Sequence, residues 1–338
     1  MQYLTFSPNE WRVLSAAVES LRLSDIAEKT GLPYTTVASI INRLKNKIKI
    51  TFVPDYYRMG LKPVSIFLKN FVEIKNVPPY TLAVRRLYGL KSYTLITGLV
   101  PEKYVDMYIE SFPEEPITYI VASDTFYWTP KSKLTAFLPN FNVIVPKIDK
   151  NVIYKIAVEK YEKREVEKAK LDSLDVLIIV WKMNYAFKKL TDIIKEAARK
   201  YPEFYGLKRQ VLSYHFERHV LPLWKLNSIR AYLDFSIVPF RIYFFEGSEA
   251  PILAKVLTQL PYFYISNVDV DRAIAFAQPP CSMYKIIYEI ISMFDVEMPL
   301  GEFVMDSRNL LKRFTDLITM FRDGEWSFPI IKRVRWKH

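Results

Sequence analysis

The chain has 338 residues, half of them hydrophobic, 15% aromatic and 25% charged. That is enough apolar surface to offset the entropy of folding, and too long a chain for one ordinary core. A net charge of +12 favours an anionic partner, nucleic acid ahead of an anionic membrane, and the single cysteine, Cys281, excludes an internal disulfide and a thiolate zinc cage.

The first helix is announced by "SPNEWRVLSAAVESL". Ser7 is placed to cap it, Pro8 takes the first helical position and Glu10 closes a capping box, while Trp11, Leu14, Val18 and Leu21 form one apolar face. Ser24 starts a second helix, Gly31 is suited to the left-handed turn that ends it, and Pro33 opens a third. In that third helix Val37, Ile40, Ile41 and Leu44 share one arc at roughly 100° per residue. The opposite arc holds Thr35, Ser39, Asn42, Arg43 and Asn46, groups suited to base edges and phosphates in a major groove. No acidic residue lies between Lys29 and Pro54, and Lys45, Lys47 and Lys49 are placed for phosphates or for a β-wing running through "KIKITFV". Tyr34 is expected on the DNA backbone at the helix start. An amphipathic three-helix unit with a merely solvated outer face is the bland alternative.

Downstream the order of elements occurs twice. An apolar strand ("KPVSIFLKN", "PFRIYFFEG") precedes an amphipathic helix ("PYTLAVRRLYG", "PILAKVLTQLP"), then a strand ending in proline ("YTLITGLVP", "RAIAFAQPP"). A further helix ("EKYVDMYIESF", "SMYKIIYEIISMF") and a strand-like run ("ITYIVASDTFYW", "EMPLGEFVMD") complete each copy. A second helical unit begins at "LDSLDVLII", where "LTDII" echoes "LSDIA". The expected fold class is therefore α+β, two winged helix-turn-helix units each followed by a ferredoxin-like βαββαβ domain. The corresponding domains are 1–56, 57–146, a charged linker 147–170, 171–232, 233–330 and a basic tail 331–338. In the second, degenerate unit Val211, Leu212 and Phe216 are expected to be buried. Gln210, Ser213 and Glu217 face outward there, with Lys208 and Arg209 as basic contacts, so the first unit is expected to do most of the base reading.

This arrangement resembles the Lrp/AsnC family of transcription regulators, abundant in archaea. The resemblance rests on "LDSLDVLII" and on "ITGL" at Ile96 to Leu99, which is similar to the Thr-Gly that the family carries near its ligand site. The acidic residue often found after that glycine is replaced here by Leu99 and Val100. The resemblance implies a duplex-DNA-binding regulator, with room for a small-molecule effector at the sheet domains. The family has one copy per chain and dimerises, so two copies imply a pseudo-dimer within one polypeptide, open to further homo-oligomerisation.

Other constellations carry less. His215 and His219 are four apart and could face one metal, but half-buried, hydrogen-bonded histidines explain them with fewer ligands, so no metal or cofactor is expected. Cys281 reads as structural. The linker is a solvated helix or an extended connector, with Glu159 and Lys163 spaced as a helical ion pair. The end, "IIKRVRWKH", fits a basic arm on DNA or a solvated final strand equally well.

With eight glycines and no glycine-rich phosphate loop, a nucleotide-binding enzyme is not expected. The sirohaem decarboxylases share the winged-helix and ferredoxin-like plan and rely on histidine and arginine near a tetrapyrrole. Only His215, His219 and His338 occur here, none in a sheet domain, so the chain is expected not to be an enzyme. The main rival is a nucleoid protein binding DNA without sequence preference. No apolar run approaches the ~20 residues of a membrane span and no secretion signal opens the chain, so a cytoplasmic, membrane-free protein is expected. Abundant lysine, isoleucine and tyrosine fit a heat-adapted organism.

Overall fold

The structure is a computed structural model that describes residues 3–73, 76–158, 166–306 and 316–329. It is an α+β fold built on one large antiparallel sheet. The linker pair Glu159 and Lys163 and the basic tail 331–338 lie outside the described residues.

Helices α1 (Pro8–Ala17), α2 (Leu23–Thr30) and α3 (Tyr34–Leu44) form the first helical unit. The Ser7–Glu10 capping box is present, and Gly31 ends α2 at φ 66°, which a side chain would strain. Val13, Leu14, Ile26, Val37, Ile40, Ile41 and Leu44 are buried together. Strand β1 (Ile48–Pro54) follows, then β2 (Leu61–Leu68), β3 (Thr81–Tyr88), β4 (Ser92–Pro101), helix α4 (Val105–Glu110), β5 (Thr118–Val121) and β6 (Asp124–Tyr127). A short hairpin, β7 (Thr135–Leu138) and β8 (Val143–Pro146), leads to α5 (Lys150–Ala157). The linker is thus helical over 150–157 and only partly solvated, because Ile153 and Ile156 are buried against the second half.

The second helical unit is α6 (Ser173–Asn184), α7 (Leu190–Ala197) and α8 (Arg209–His215), continued by a π-helical turn over Phe216–Val220. Strand β9 (Trp224–Ala231), β10 (Arg241–Glu246), α9 (Ala250–Leu257), β11 (Phe263–Val268), β12 (Arg272–Ala277), α10 (Tyr284–Ile291) and β13 (Glu302–Met305) complete the repeat. A last segment, with α11 (Asp316–Thr319), β14 (Phe321–Arg322) and β15 (Glu325–Trp326), returns to the first half, where Trp326 Nε1 donates to the Met59 carbonyl at 2.8 Å.

Two expectations fail in instructive ways. "PYTLAVRRLYG" is not a helix but strand β3, so among the described residues the first half has no α-helix between its first two sheet strands, whereas the second has α9 there. Its apolar residues fit either period; what decides is that β4 offers a full unpaired edge, which β3 fills from Thr81 to Tyr88. The other concerns β1, which is no free wing. It pairs antiparallel with β9 from Ile48 opposite Ala231 onward, joining the strands that follow the two helical units. Buried Asn227 reinforces this joint by donating to the carbonyls of Ala17 and Ser20 at 2.8 and 2.6 Å.

The large sheet runs β5-β2-β4-β3-β13-β10-β12-β11-β6. In each half the strands stand in the order fourth, first, third, second, and the halves meet where β13 pairs with β3. The two outermost strands, β5 and β6, are consecutive in the chain: Ala122 donates to Pro63 of one half and Ser123 to Val268 of the other. The chain thus passes directly from the outermost strand at one end of the sheet to the outermost strand at the other. One core cluster holds Phe67, Phe244 and Phe303, with Phe67 and Phe244 rings 5.3 Å apart.

Candidate functional site: an arginine-bearing cavity between the sheet halves

The expected DNA-reading residues fall on one surface. Tyr34, Thr35, Ser39, Asn42 and Arg43 on α3, with Lys45, Asn46 and Lys47 just beyond it, are all exposed. Arg43 Nη2 lies 2.9 Å from Glu10 Oε1, so it would have to leave that partner to meet a phosphate. Lys45 stands over the Tyr185 ring at 5.3 Å. Lys49 departs from the group: it lies within β1, opposite Arg230 in register, instead of on a projecting wing. In the second unit Lys208 and Arg209 are exposed and Ser213 is half-buried. Val211 is 38% exposed, contrary to expectation, because Leu212 and Phe216, four apart, carry the buried stripe without it. Cys281 is exposed, not structural.

The structure also holds a site that lies away from these residues. Beneath the joint of β1 and β9, where the two sheet halves part, is a cavity of about 490 Å3. Its size is that of a small-molecule site. Aromatic rings form much of the wall, with Phe240 and Tyr264 stacked at 5.7 Å and Tyr232 packed on Phe235 at the same distance.

Two guanidinium groups face this space. Arg85, on β3, donates from Nη1 to Thr97 Oγ1 at 2.9 Å and lies 6.0 Å from the centre of the Phe276 ring. Burial pulls its pKa down to about 10, with Tyr232 opposing that shift and Arg230 adding to it. Arg230, on β9, reaches Thr51 Oγ1 at 3.4 Å, and its buried Nε has no hydrogen-bond partner. Both keep partial accessibility, and the cavity they line is where that surface can open. Among the described residues no aspartate or glutamate lines the cavity. Unpaired buried cations are costly, and a guanidinium is shaped to take a carboxylate or phosphate in a two-point grip.

Tyrosines supply neutral donors. Tyr56 and Tyr127 hydrogen-bond to each other, and burial pushes Tyr56 up to about 12, against the pull of Arg230. Tyr127 is raised as well, chiefly by burial and then by Tyr56. Both therefore stay protonated at neutral pH. The site can hold an anion with an apolar, flat body and can offer hydroxyl protons to it.

Sequence reasoning missed this site because of the misread strand. On a helix, Arg85 and Arg86 would share one polar face. On a strand they point to opposite sides: Arg85 to the cavity, Arg86 outward over Phe71, with its guanidinium 5.4 Å from the ring centre. The available signal was the short turn "GLK" between two β-prone runs, which reads as a hairpin. Arg230 was within reach through the alternation Ser228, Ile229, Arg230, Ala231, with Ile229 and Ala231 buried.

No family model matches the sequence, and no curated protein does. Among solved structures, the crystal structure of the siroheme decarboxylase NirDL is similar to 90% of this chain and 93% of its own, at 13% identity and a TM-score of 0.43. The same enzyme in co-complex with an iron-uroporphyrin III analogue is similar to 92% of this chain and 96% of its own, at 12% identity and a TM-score of 0.40. Both structures are of an enzyme, which conflicts with the expectation that this chain is not one, and that expectation is withdrawn.

Proposed function

We propose that the chain binds a carboxylate-bearing small molecule with a flat apolar body in the cavity between its sheet halves. The observation that carries this reading is the pair Arg85 and Arg230, facing an aromatic cavity that, among the described residues, no acidic one lines. On this reading the protein is a pseudo-dimer in one chain, two winged helix-turn-helix units on two ferredoxin-like sheets, the first with no described counterpart of α9. The arginines hold carboxylates, Tyr56 and Tyr127 donate hydrogen bonds, and the stacked rings exclude water from the ligand body.

The test is a titration of the full chain with iron uroporphyrin III, which carries many carboxylates, and with phenylalanine, which carries one. Product analysis by mass spectrometry shows whether bound ligand loses CO2 and so is a substrate. Saturable binding to either ligand, lost in Arg85→Met and Arg230→Met, supports the reading. Binding to neither, or binding indifferent to both substitutions, overturns it.

A second reading is favoured by the exposed, acid-free outer face of α3: the first helical unit contacts duplex DNA, and the cavity ligand acts as its effector. The cavity is lined by Thr51 and Phe52 of β1, Arg230 of β9 and Met183 of α6, so a ligand there touches the strands that join the two helical units. Fluorescence anisotropy on the chain's own upstream region and on scrambled duplex, across a salt series, tests it. Promoter preference lost in Arg43→Glu, with a smaller effect of Arg209→Glu, is the expected result. Equal binding to both duplexes would mark a nucleoid-type protein instead, and no binding would end the DNA reading.

A further inference from the structure

The two histidines four residues apart are not alone. His215 closes α8 and His219 sits in the π-helical turn that follows, a local distortion frequent at functional sites. Facing them are Asp172 and Asp175 at the start of α6, some forty residues earlier in the chain. Each carboxylate gives one oxygen to the helix start. Asp172 Oδ1 accepts from the amides of Leu174 and Asp175, both at 2.9 Å, and Asp175 Oδ2 accepts from the Asp172 amide at 3.0 Å. Asp172 Oδ2 and Asp175 Oδ1 face His215, and His219 Nδ1 lies 3.2 Å from Asp175 Oδ1 and 3.0 Å from Asp175 Oδ2.

The geometry points to a divalent transition-metal site, of zinc type, made by His215 Nδ1, His219 Nδ1, Asp175 Oδ1 and Asp172 Oδ2. Bonds of about 2.0–2.1 Å at tetrahedral angles place neighbouring ligand atoms about 3.3–3.4 Å apart. The distances are 2.9 Å for His215 Nδ1 to Asp175 Oδ1, 3.2 Å for His219 Nδ1 to the same oxygen, and 3.4 Å for His215 Nδ1 to Asp172 Oδ2. All four residues bring a ligand atom within 4.8 Å of the others. Two imidazoles and two carboxylates suit zinc or its near neighbours better than calcium or magnesium, which take oxygen alone.

Accessibility is graded in a way that admits an ion and then holds it. Asp175 is fully buried, the His215 side chain is 15% exposed and that of His219 31%, while Asp172 opens to solvent at 51%. Burial raises the Asp175 carboxyl, against the hydrogen bonds from Asp172 and His215; a bound cation would offset that burial. The metal would pin the start of α6 to the end of α8, clamping the third helix of the second unit. The first unit makes the matching link with an ion pair, Arg43 to Glu10.

Chelator-treated full chain titrated with Co2+ tests this. One equivalent should bind with the strong visible absorption of tetrahedral cobalt and be displaced by Zn2+. His215→Ala and His219→Ala should abolish the band, with circular dichroism confirming the fold. Asp172→Asn keeps an equally good helix cap and should weaken binding at least tenfold. His338→Ala and Cys281→Ser should leave it unchanged. No saturable uptake, or uptake that survives loss of both histidines, would leave only a hydrogen-bonded cluster and overturn the site.

Discussion

The two halves of the chain share one strand order, fourth, first, third, second, and differ in what surrounds it. The first helical unit keeps a full eleven-residue third helix with an exposed polar face, whereas the second has a seven-residue α8 that runs into a π turn beside the Asp-His cluster. In the sheets the asymmetry reverses: the second half has the packing helix α9, and among the described residues the first has no α-helix at the corresponding place. The surface face is retained in one half, while the cavity draws one arginine from each, Arg85 from the first and Arg230 from the second.

The contact between the halves gives the largest expected effect. Phe67 and Phe244 occupy corresponding strands, the first of each sheet half, and their tilted rings pack together in the core. Phe67→Ala and Phe244→Ala should each cost about 3–5 kcal/mol. The double variant should cost less than the sum, as expected of touching side chains. Strict additivity in denaturant melts would mean that the halves fold as independent units.

Lys182 separates the second helical unit from the first, whose described lysines are all exposed or half-exposed. It is 4% exposed, donates to the Ala186 carbonyl at 2.9 Å and stands over Phe216. Burial lowers its pKa from 10.5 to about 8, with Arg22 adding to the shift. Below pH 8 both folded and unfolded chains carry the charge and the burial cost is complete. Between about 8 and 10.5 the unfolded chain binds more protons, so stability rises with pH across that window. Lys182→Met should therefore stabilise by up to about 3 kcal/mol at pH 7. Melting temperatures measured from pH 7 to 10.5 should show the gain shrinking as the pH rises.

The arginines sharpen the comparison further, since each comes from a different half. Losing the charge-assisted hydrogen bonds of either one should weaken carboxylate binding by about 1.5–3 kcal/mol, on the order of ten- to a hundredfold in Kd. The same Arg85→Met substitution should raise the melting temperature of the ligand-free chain, because it removes an uncompensated buried charge. A lower melting temperature together with unchanged affinity would assign Arg85 to packing alone.

The smallest expected effects are at the two matching helix starts. Ser7→Ala removes one capping box and should cost about 1 kcal/mol. Asp172→Ala should cost a similar amount in metal-free protein and clearly more when zinc is present. Equal costs with and without zinc would argue that Asp172 is only a cap.

Much of the fold was legible because it is written in local patterns. The capping box at Ser7, the turn at Gly31 and the apolar arc Val37, Ile40, Ile41 and Leu44 are short-range signals, and the structure has all of them. Strands such as "KPVSIFLKN" and "PFRIYFFEG" were equally plain. The cavity was not legible, because "PYTLAVRRLYG" satisfies both the helical and the strand period, and only the unpaired edge of β4 chooses between them. Nor was the cluster of Asp172, Asp175, His215 and His219. His215 and His219 showed two of its four residues, and Asp172 and Asp175 lie some forty residues away in the chain.

Local sequence was enough for the element types wherever one period dominated and for the basic, acid-free face of α3. Long-range contacts decided that β1 pairs with β9, that β5 and β6 take opposite ends of one sheet, and that Arg85 faces the same cavity as Arg230. The physical reason is range. Periodicity and capping act over a few residues, whereas a strand's partner, a buried charge's neighbours and a ligand set gathered from two helices depend on contacts between distant parts of the chain.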